Sequence, residues 1–224
     1  ATLDRGCAVL VLRGAGGTLS AGADLPFLQT LLDDPIAVDS YVSSIGAVLD
    51  RIETAPFVSV AVVAGYALAG GCEILLACDL AVVAESARIG DRHLEYGLLP
   101  GAGGSVRLPR AVPGPIARRL LYTGEIVDGT TAAGWGLVSH VAPDAELETA
   151  VDSLVARLSR HSPEALAGMK RLYRQATAEP GVPVDEALAA ERAVLVGHVT
   201  TSDAAAEGLA AFRERRPPRF REGL

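Results

Sequence analysis

Aromatic residues are scarce, at 4% of 224 positions, and there is a single Trp. Any core must therefore be largely aliphatic. Half of the chain is hydrophobic, enough for one large domain or a domain with an appendage. An excess of positive charge is also missing, since 20 basic and 27 acidic residues leave a net charge of −7. That balance argues against nonspecific nucleic-acid binding. Long uncharged apolar runs are absent, because Glu73, Asp79 and Glu85 interrupt the most apolar region. No membrane-spanning segment is therefore expected, and no membrane partner. Cysteine is limited to Cys7, Cys72 and Cys78 in apolar surroundings, and the last two are six apart, not in C-x-x-C spacing. No metal site is expected, and the three read as free thiols of a cytoplasmic protein.

What the chain does have is concentrated between Gly65 and Gly104. A β-branched run, Ser59 to Ala64, suits a buried strand. Gly70 and Gly71 then open a helical stretch, Cys72 to Ala77. The first amides of a helix have no partner inside it, and the helix dipole adds positive potential there. Small residues let a ligand oxygen approach such amides, and a developing oxyanion would be stabilised by them. Glu73 sits in the first turn of that helix. It is either an acid–base group or simply a carboxylate well placed against the helix dipole.

The rest of the chain reads as an α/β portion followed by helices. Cys7 to Leu12 predicts a strand covered on both faces. Gly14, Gly16 and Gly17 invite a dinucleotide-binding reading, but the sixth position of G-x-G-x-x-G is Leu19 and no amphipathic helix directly follows. A tight turn is the plainer reading, and the following Ser20–Ala23 step offers a second free amide. Helices are predicted over Leu25–Leu32, from Pro35 to before Pro56, over Pro115–Tyr122 and over Thr130–Trp135. Further strands are predicted at Asp79–Ala84, Ala87–Gly90 and Leu137–Val141. Strand, helix and strand at this spacing imply parallel pairing through right-handed crossovers. Beyond Pro143 no strand pattern occurs. Leu147–Leu158, Pro163–Thr177, Val184–Val196 and Asp203–Arg215 read as amphipathic helices. The division is thus residues 1–142, an α/β core with a ligand pocket, and 143–224, a helical region. Arg213, Arg215, Arg216, Arg219 and Arg221 make the C-terminus basic, as a solvated end or as an anion contact.

Five segments in this order resemble the enoyl-CoA hydratase/isomerase (crotonase) superfamily. They are SAGADL (Ser20–Leu25), AGYALAGGCEILLACDLAVVA (Ala64–Ala84), YGLLPGAGGSVRLPR (Tyr96–Arg110), TGEIVDGTTAAGWGLVSHV (Thr123–Val141) and EGLAAFRERRPPRF (Glu207–Phe220). The resemblance implies a crotonase-like ββα spiral core and a C-terminal helical region that makes a homotrimer, often a dimer of trimers. It implies an oxyanion hole formed by the amides of Ala23 and Gly70 for the oxygen of an acyl-CoA thioester. It further implies CoA contacts from Ala21, Asp24 and Leu25 and, across a subunit boundary, from Phe212 and Arg215. No separate cofactor is implied, because coenzyme A is part of the substrate.

The family's hydratases use two glutamates. Glu73 matches the first. The second belongs seven residues before the Pro of PGAGG, and that position holds His93. Hydration needs a water held for attack at one carbon and a proton delivered to its neighbour, so a second group is required. Histidine can carry either role. Asp91 and Glu95 flank it, and Glu95 could take over if the loop shifted. His93 could also be structural, packed on Tyr96. Three readings follow. The first is an enoyl-CoA hydratase-like lyase with Glu73 and His93 as its catalytic pair. The second is another reaction of the same enolate: decarboxylation, thioester hydrolysis, carbon–carbon cleavage or, ranked lower, isomerisation. The third is a non-catalytic acyl-CoA binder.

Overall fold

The computed structural model describes residues 7–178 and 182–220. Arg221, the last of the basic C-terminal residues, lies outside them. The described residues form two compact units. One holds the chain up to Leu10, Thr54–Val58 and the chain from Leu154 onward; the other holds Val11–Glu53 and Ser59–Ser153.

The larger unit is built on a repeated order of strand, strand, helix. After β1 (Val9–Arg13), α1 (Leu25–Gln29) and the long α2 (Pro35–Thr54), the first turn of the repeat is β2 (Val58–Val63), β3 (Tyr66–Leu68) and α3 (Gly70–Ala77). The second is β4 (Leu80–Ala84), β5 (Arg88–Gly90) and, after a loop, α4 (Gly104–Ala111). Helix α5 (Gly114–Thr123), β6 (Val127–Asp128), α6 (Gly129–Gly134) and β7 (His140–Ala142) follow. Each repeat gives its first strand to a four-stranded sheet ordered β1-β2-β4-β7 and its second to a three-stranded sheet ordered β3-β5-β6. The pairs β2·β4, β4·β7 and β3·β5 are parallel, as the crossovers require, whereas β5·β6 is antiparallel. This progression along two sheets is the ββα spiral.

The residues explain the order. Strand β2 is buried along its whole length, and its Val and Ala side chains fit a sheet covered on both faces. Among the described residues strand β1 is the first strand of its sheet, and it is half-buried, not covered on both faces as the apolar run predicted. The predicted strand over Leu137–Val141 begins later, at His140. Just before it, the Ser139 hydroxyl accepts from the Ala81 amide at 2.8 Å and donates to the Ala81 carbonyl at 2.7 Å. The Ser139 amide also donates to the Ala81 carbonyl at 3.2 Å, so the side chain supplements the main-chain contact there. Ala15–Gly17 form a single 3₁₀ turn after an extended Gly14, the plainer of the two readings.

A cluster of Leu49 and Ile52 from α2, Ala77 from α3 and Ala102, with Leu12, Ile45, Ile74 and Cys78 packed against it, ties α3 to the 100–104 loop. In the smaller unit, α8 (Pro163–Ala178) packs on α9 (Val184–Thr201), and α10 (Asp203–Glu214) follows under a Ser202 cap. Helix α7 (Leu147–Leu158) precedes them. Lys170 is buried, donates to the Phe57 carbonyl at 3.0 Å and lies 5.7 Å from the centre of the Phe57 ring.

Candidate active site

Two loops meet at the start of α3. The Leu68 amide donates to the Ser20 carbonyl at 3.0 Å, and Ser20 bridges to Ala67 as a short parallel strand contact. This brings Gly22 against Gly70: a methyl group built on Gly70 would stand 3.5 Å from Gly22 Cα and 3.9 Å from the Ala23 nitrogen. Among the described residues, neither the Ala23 nor the Gly70 amide donates a hydrogen bond. The turn into the helix is strained at Ala69, whose φ of 49° and ψ of −116° are rarely adopted outside glycine. Such strain costs of order 1–3 kcal/mol and gathers at functional sites. The two predicted donors are therefore adjacent and unpartnered.

Gly71 is what allows the loops to touch. A Cβ there would lie 2.1 Å from the Ser20 carbonyl oxygen, a main-chain atom that cannot rotate away. We expect Gly71→Ala to lower stability by roughly 1–3 kcal/mol, as an overpacked core does. A thermal melt that matches the unsubstituted protein would contradict this close approach.

One turn on, Glu73 is 3% exposed. Its Oε1 accepts from the amides of Ala102 at 2.9 Å and Gly104 at 2.8 Å, so the PGAGG loop fixes its rotamer. Arg107 braces that loop. It donates to the Ala102 carbonyl at 2.5 Å and pairs with Glu53 at 2.9 Å and Asp50 at 3.2 Å on α2. The other carboxylate oxygen, Oε2, faces His93 Nε2 at 3.9 Å.

His93 opens a 3₁₀ turn (His93–Tyr96) after β5. Its Nδ1 lies 2.9 Å from Asp91 Oδ1. Burial pulls the imidazole pKa down, but the Asp91 hydrogen bond and the charges of Asp91 and Glu73 outweigh it, and the net shift is upward from 6.5. Tyr96, in the same turn, is 63% exposed. Glu95 points elsewhere: it is exposed and pairs with Arg92 at 3.4 Å. Cys72, beside Glu73 in sequence, is buried, and its thiol is pushed up to about 12 by burial and by the charges of Asp91 and Glu73. It stays protonated and is no nucleophile. Among the described residues no cluster of His, Cys, Asp and Glu could hold a metal ion.

The predicted CoA contacts are less committed. Ala21 and Asp24 are exposed, Leu25 is half-buried, and Asp24 caps α1 by accepting from the Phe27 amide at 3.0 Å. Phe212 is 85% exposed on α10. Arg215 ends that helix in a left-handed conformation with φ 55°. Arg216 is occupied by Glu207, at 2.6 Å, and Glu214, at 2.7 Å. The residues that the sequence pattern did not single out are the Ala102 and Gly104 amides and Arg107. The glycine run before α4 was their one visible signal.

Two unpartnered amides at the start of a helix that carries a buried acid in its first turn have the polarity that a developing oxyanion needs. The chain belongs to the enoyl-CoA hydratase/isomerase family, whose model matches residues 2–223. It is 37% identical to the enoyl-CoA hydratase domain-containing protein 2, mitochondrial, of Mus musculus over 97% of this chain and 73% of that protein. It is 34% identical to the mitochondrial methylglutaconyl-CoA hydratase of Rattus norvegicus over 95% of this chain and 67% of that protein. Among solved structures, an enoyl-CoA hydratase from Bacillus anthracis superposes with a TM-score of 0.88 at 32% identity, covering 97% of this chain and 82% of that one.

Proposed function

We propose that this protein is an enoyl-CoA hydratase-like lyase that adds water to, or removes it from, a 2-enoyl-CoA thioester. The observation that carries the reading is Glu73 Oε2 facing His93 Nε2 at 3.9 Å. A water held by both would be poised between a base and an acid. In the forward direction Glu73 takes a proton from that water as its oxygen bonds to C3. The C2–C3 electron pair moves toward the thioester, and the carbonyl oxygen gains charge against the amides of Ala23 and Gly70. The carbonyl then reforms, and C2 takes a proton from the His93 imidazolium. Proton return from Glu73 to His93 closes the cycle, with one water added in all. Each donor to a developing oxyanion is worth about 10²–10³ in rate.

The names of the relatives support hydration over other fates of the enolate. We assign the adenosine-phosphate end of coenzyme A to Ala21, Asp24 and Leu25 and, from a neighbouring subunit, to Phe212 and Arg215. No further cofactor is needed for this chemistry. We propose a homotrimer or a dimer of trimers, supported by exposed Val184, Leu188, Leu195 and Val199 on α9 and Leu209 on α10. Among the described residues no helix is long and apolar enough to cross a membrane. The free thiols suit a reducing compartment such as the cytoplasm.

The test is a mass-spectrometric screen of acyl-CoA thioesters. We expect a gain of one water on 2-enoyl-CoAs, with oxygen-18 from labelled water entering at C3. Loss of carbon dioxide or release of free coenzyme A instead would favour decarboxylation or hydrolysis. Binding of thioesters with no turnover of any would favour the non-catalytic reading.

A further inference from the structure

Asp91 is one of the few buried charged side chains, 2% exposed, and plain fold stability does not account for it. Among the described residues its buried Oδ2 has no hydrogen-bond partner. Leaving a buried acceptor unpaired costs folding energy, so such a group in a native structure calls for a reason. The fold makes room for it: a Cβ on Gly104 would stand 2.9 Å from Oδ2. Its other oxygen, Oδ1, is used twice, accepting from the His93 main-chain nitrogen at 3.3 Å and lying 2.9 Å from His93 Nδ1.

We propose that Asp91 is the positioning residue of this site, holding the proton of His93 on Nδ1 so that Nε2 is always the nitrogen presented to Glu73. The proposal rests on the hydratase reading and deepens it. An ionised carboxylate only accepts hydrogen bonds, so the ring nitrogen facing it must carry a hydrogen. In neutral His93 the lone pair then belongs to Nε2. In the imidazolium, the proton that can leave without breaking the Asp91 contact is again the one on Nε2. The main-chain hydrogen bond fixes Oδ1 at the height of the ring, so one carboxylate sets both the loop and the tautomer. His93 takes the place of a carboxylate that would need no such orientation, because its two oxygens are equivalent. An imidazole has two distinct nitrogens, so it needs a third group to say which one works.

The charges around His93 agree with this. Asp91 on its own loop and Glu73 from α3 act on it directly. Arg92 and Glu95 of the same turn pair with each other. On α5, the helix packed against that turn, Arg119 is engaged by Glu125 at 2.7 Å. Arg107 of α4 is held by Asp50 and Glu53. No nearby cation therefore competes for Asp91 among these groups.

The experiment uses the full chain with Asp91→Asn and Asp91→Ala. Nitrogen-15 NMR follows His93 through a pH titration, with its signals identified among the four histidines by their loss in His93→Gln. In the unsubstituted protein neutral His93 should carry its proton on Nδ1. In Asp91→Ala both tautomers should populate and the titration midpoint should fall. In Asp91→Asn the Oδ1 acceptor survives, so the tautomer should be kept while the midpoint still falls. For hydration, Asp91→Ala should lose roughly 100-fold in kcat with KM within about twofold, and the alkaline limb should move to lower pH. An unchanged tautomer and midpoint in Asp91→Ala would overturn the proposal. So would a loss confined to KM, with the pH profile unmoved. If Asp91→Ala does not fold, the midpoint in Asp91→Asn decides alone: a fall supports the proposal and an unchanged value overturns it. The NMR readout needs no turnover, so it stands apart from failure of the hydratase reading, which would show as no water addition by the unsubstituted protein.

Discussion

Glu73→Gln is expected to lower the hydration rate of a 2-enoyl-CoA by roughly 10³–10⁴-fold, the upper range for loss of a positioned acid–base group. The substitution suits the site. A glutamine keeps the length and volume of the side chain, and its carbonyl oxygen can still accept from the Ala102 and Gly104 amides that now hold Oε1. The loop and the helix start should therefore persist, and so should the Ala23 and Gly70 amides proposed to meet the thioester. What is lost is the proposed proton acceptor at Oε2. The amide group that replaces it also donates, toward a histidine that must donate itself. Binding of an acyl-CoA, measured by calorimetry, should stay within a few-fold while kcat collapses. An undiminished rate would remove Glu73 from the chemistry and with it the mechanism.

His93→Gln is expected to cost roughly 10²–10³-fold and, more tellingly, to erase one limb of the pH profile. In the proposed direction of hydration His93 works as the imidazolium. Its pKa is raised above 6.5, so the active form dominates below that raised value and is lost as pH rises through it. The unsubstituted enzyme should thus show kcat/KM falling on the alkaline side with the loss of one proton, and His93→Gln should not. Stability carries the same sign. The folded protein binds this proton more tightly than the unfolded chain does, so the contribution is fully present below about 6.5 and fades as pH rises through the folded value. Thermal melts should therefore show His93→Gln trailing the unsubstituted protein more at pH 6 than at pH 9. An alkaline limb that survives the substitution would assign the titration to some other group.

Long periodic segments were readable from the sequence, and so were the short α1, β5 and α6, but β3 and β6 were not. Helix α2 declares itself through Ile45, Leu49 and Ile52 at helical spacing, and Leu49 and Ile52 are indeed buried. The proline-led α8 begins at Pro163, where the sequence placed it. Strands β3 and β6 are three and two residues long, and neither has a long apolar run of its own in the sequence. Strand β1 misled because an apolar run reports hydrophobicity and not burial, which is decided by what packs on the strand.

The candidate site divides along the same line. Sequence alone determined the ingredients: a helix opened by Gly70 and Gly71, an acid one turn in, a small-residue loop at Ser20–Ala23 and a histidine seven residues before Pro100. These are local, since backbone freedom and helix-start polarity depend on a few adjacent residues. Only the tertiary structure decided which partners they found. It set Ala23 against Gly70, committed one oxygen of Glu73 to Ala102 and Gly104, turned the other to His93, and put Asp91 behind the imidazole. Those contacts join loops from separate ββα turns, and the packing of α2 against α3 and the glycine-rich loop sets their distances, which no local pattern encodes.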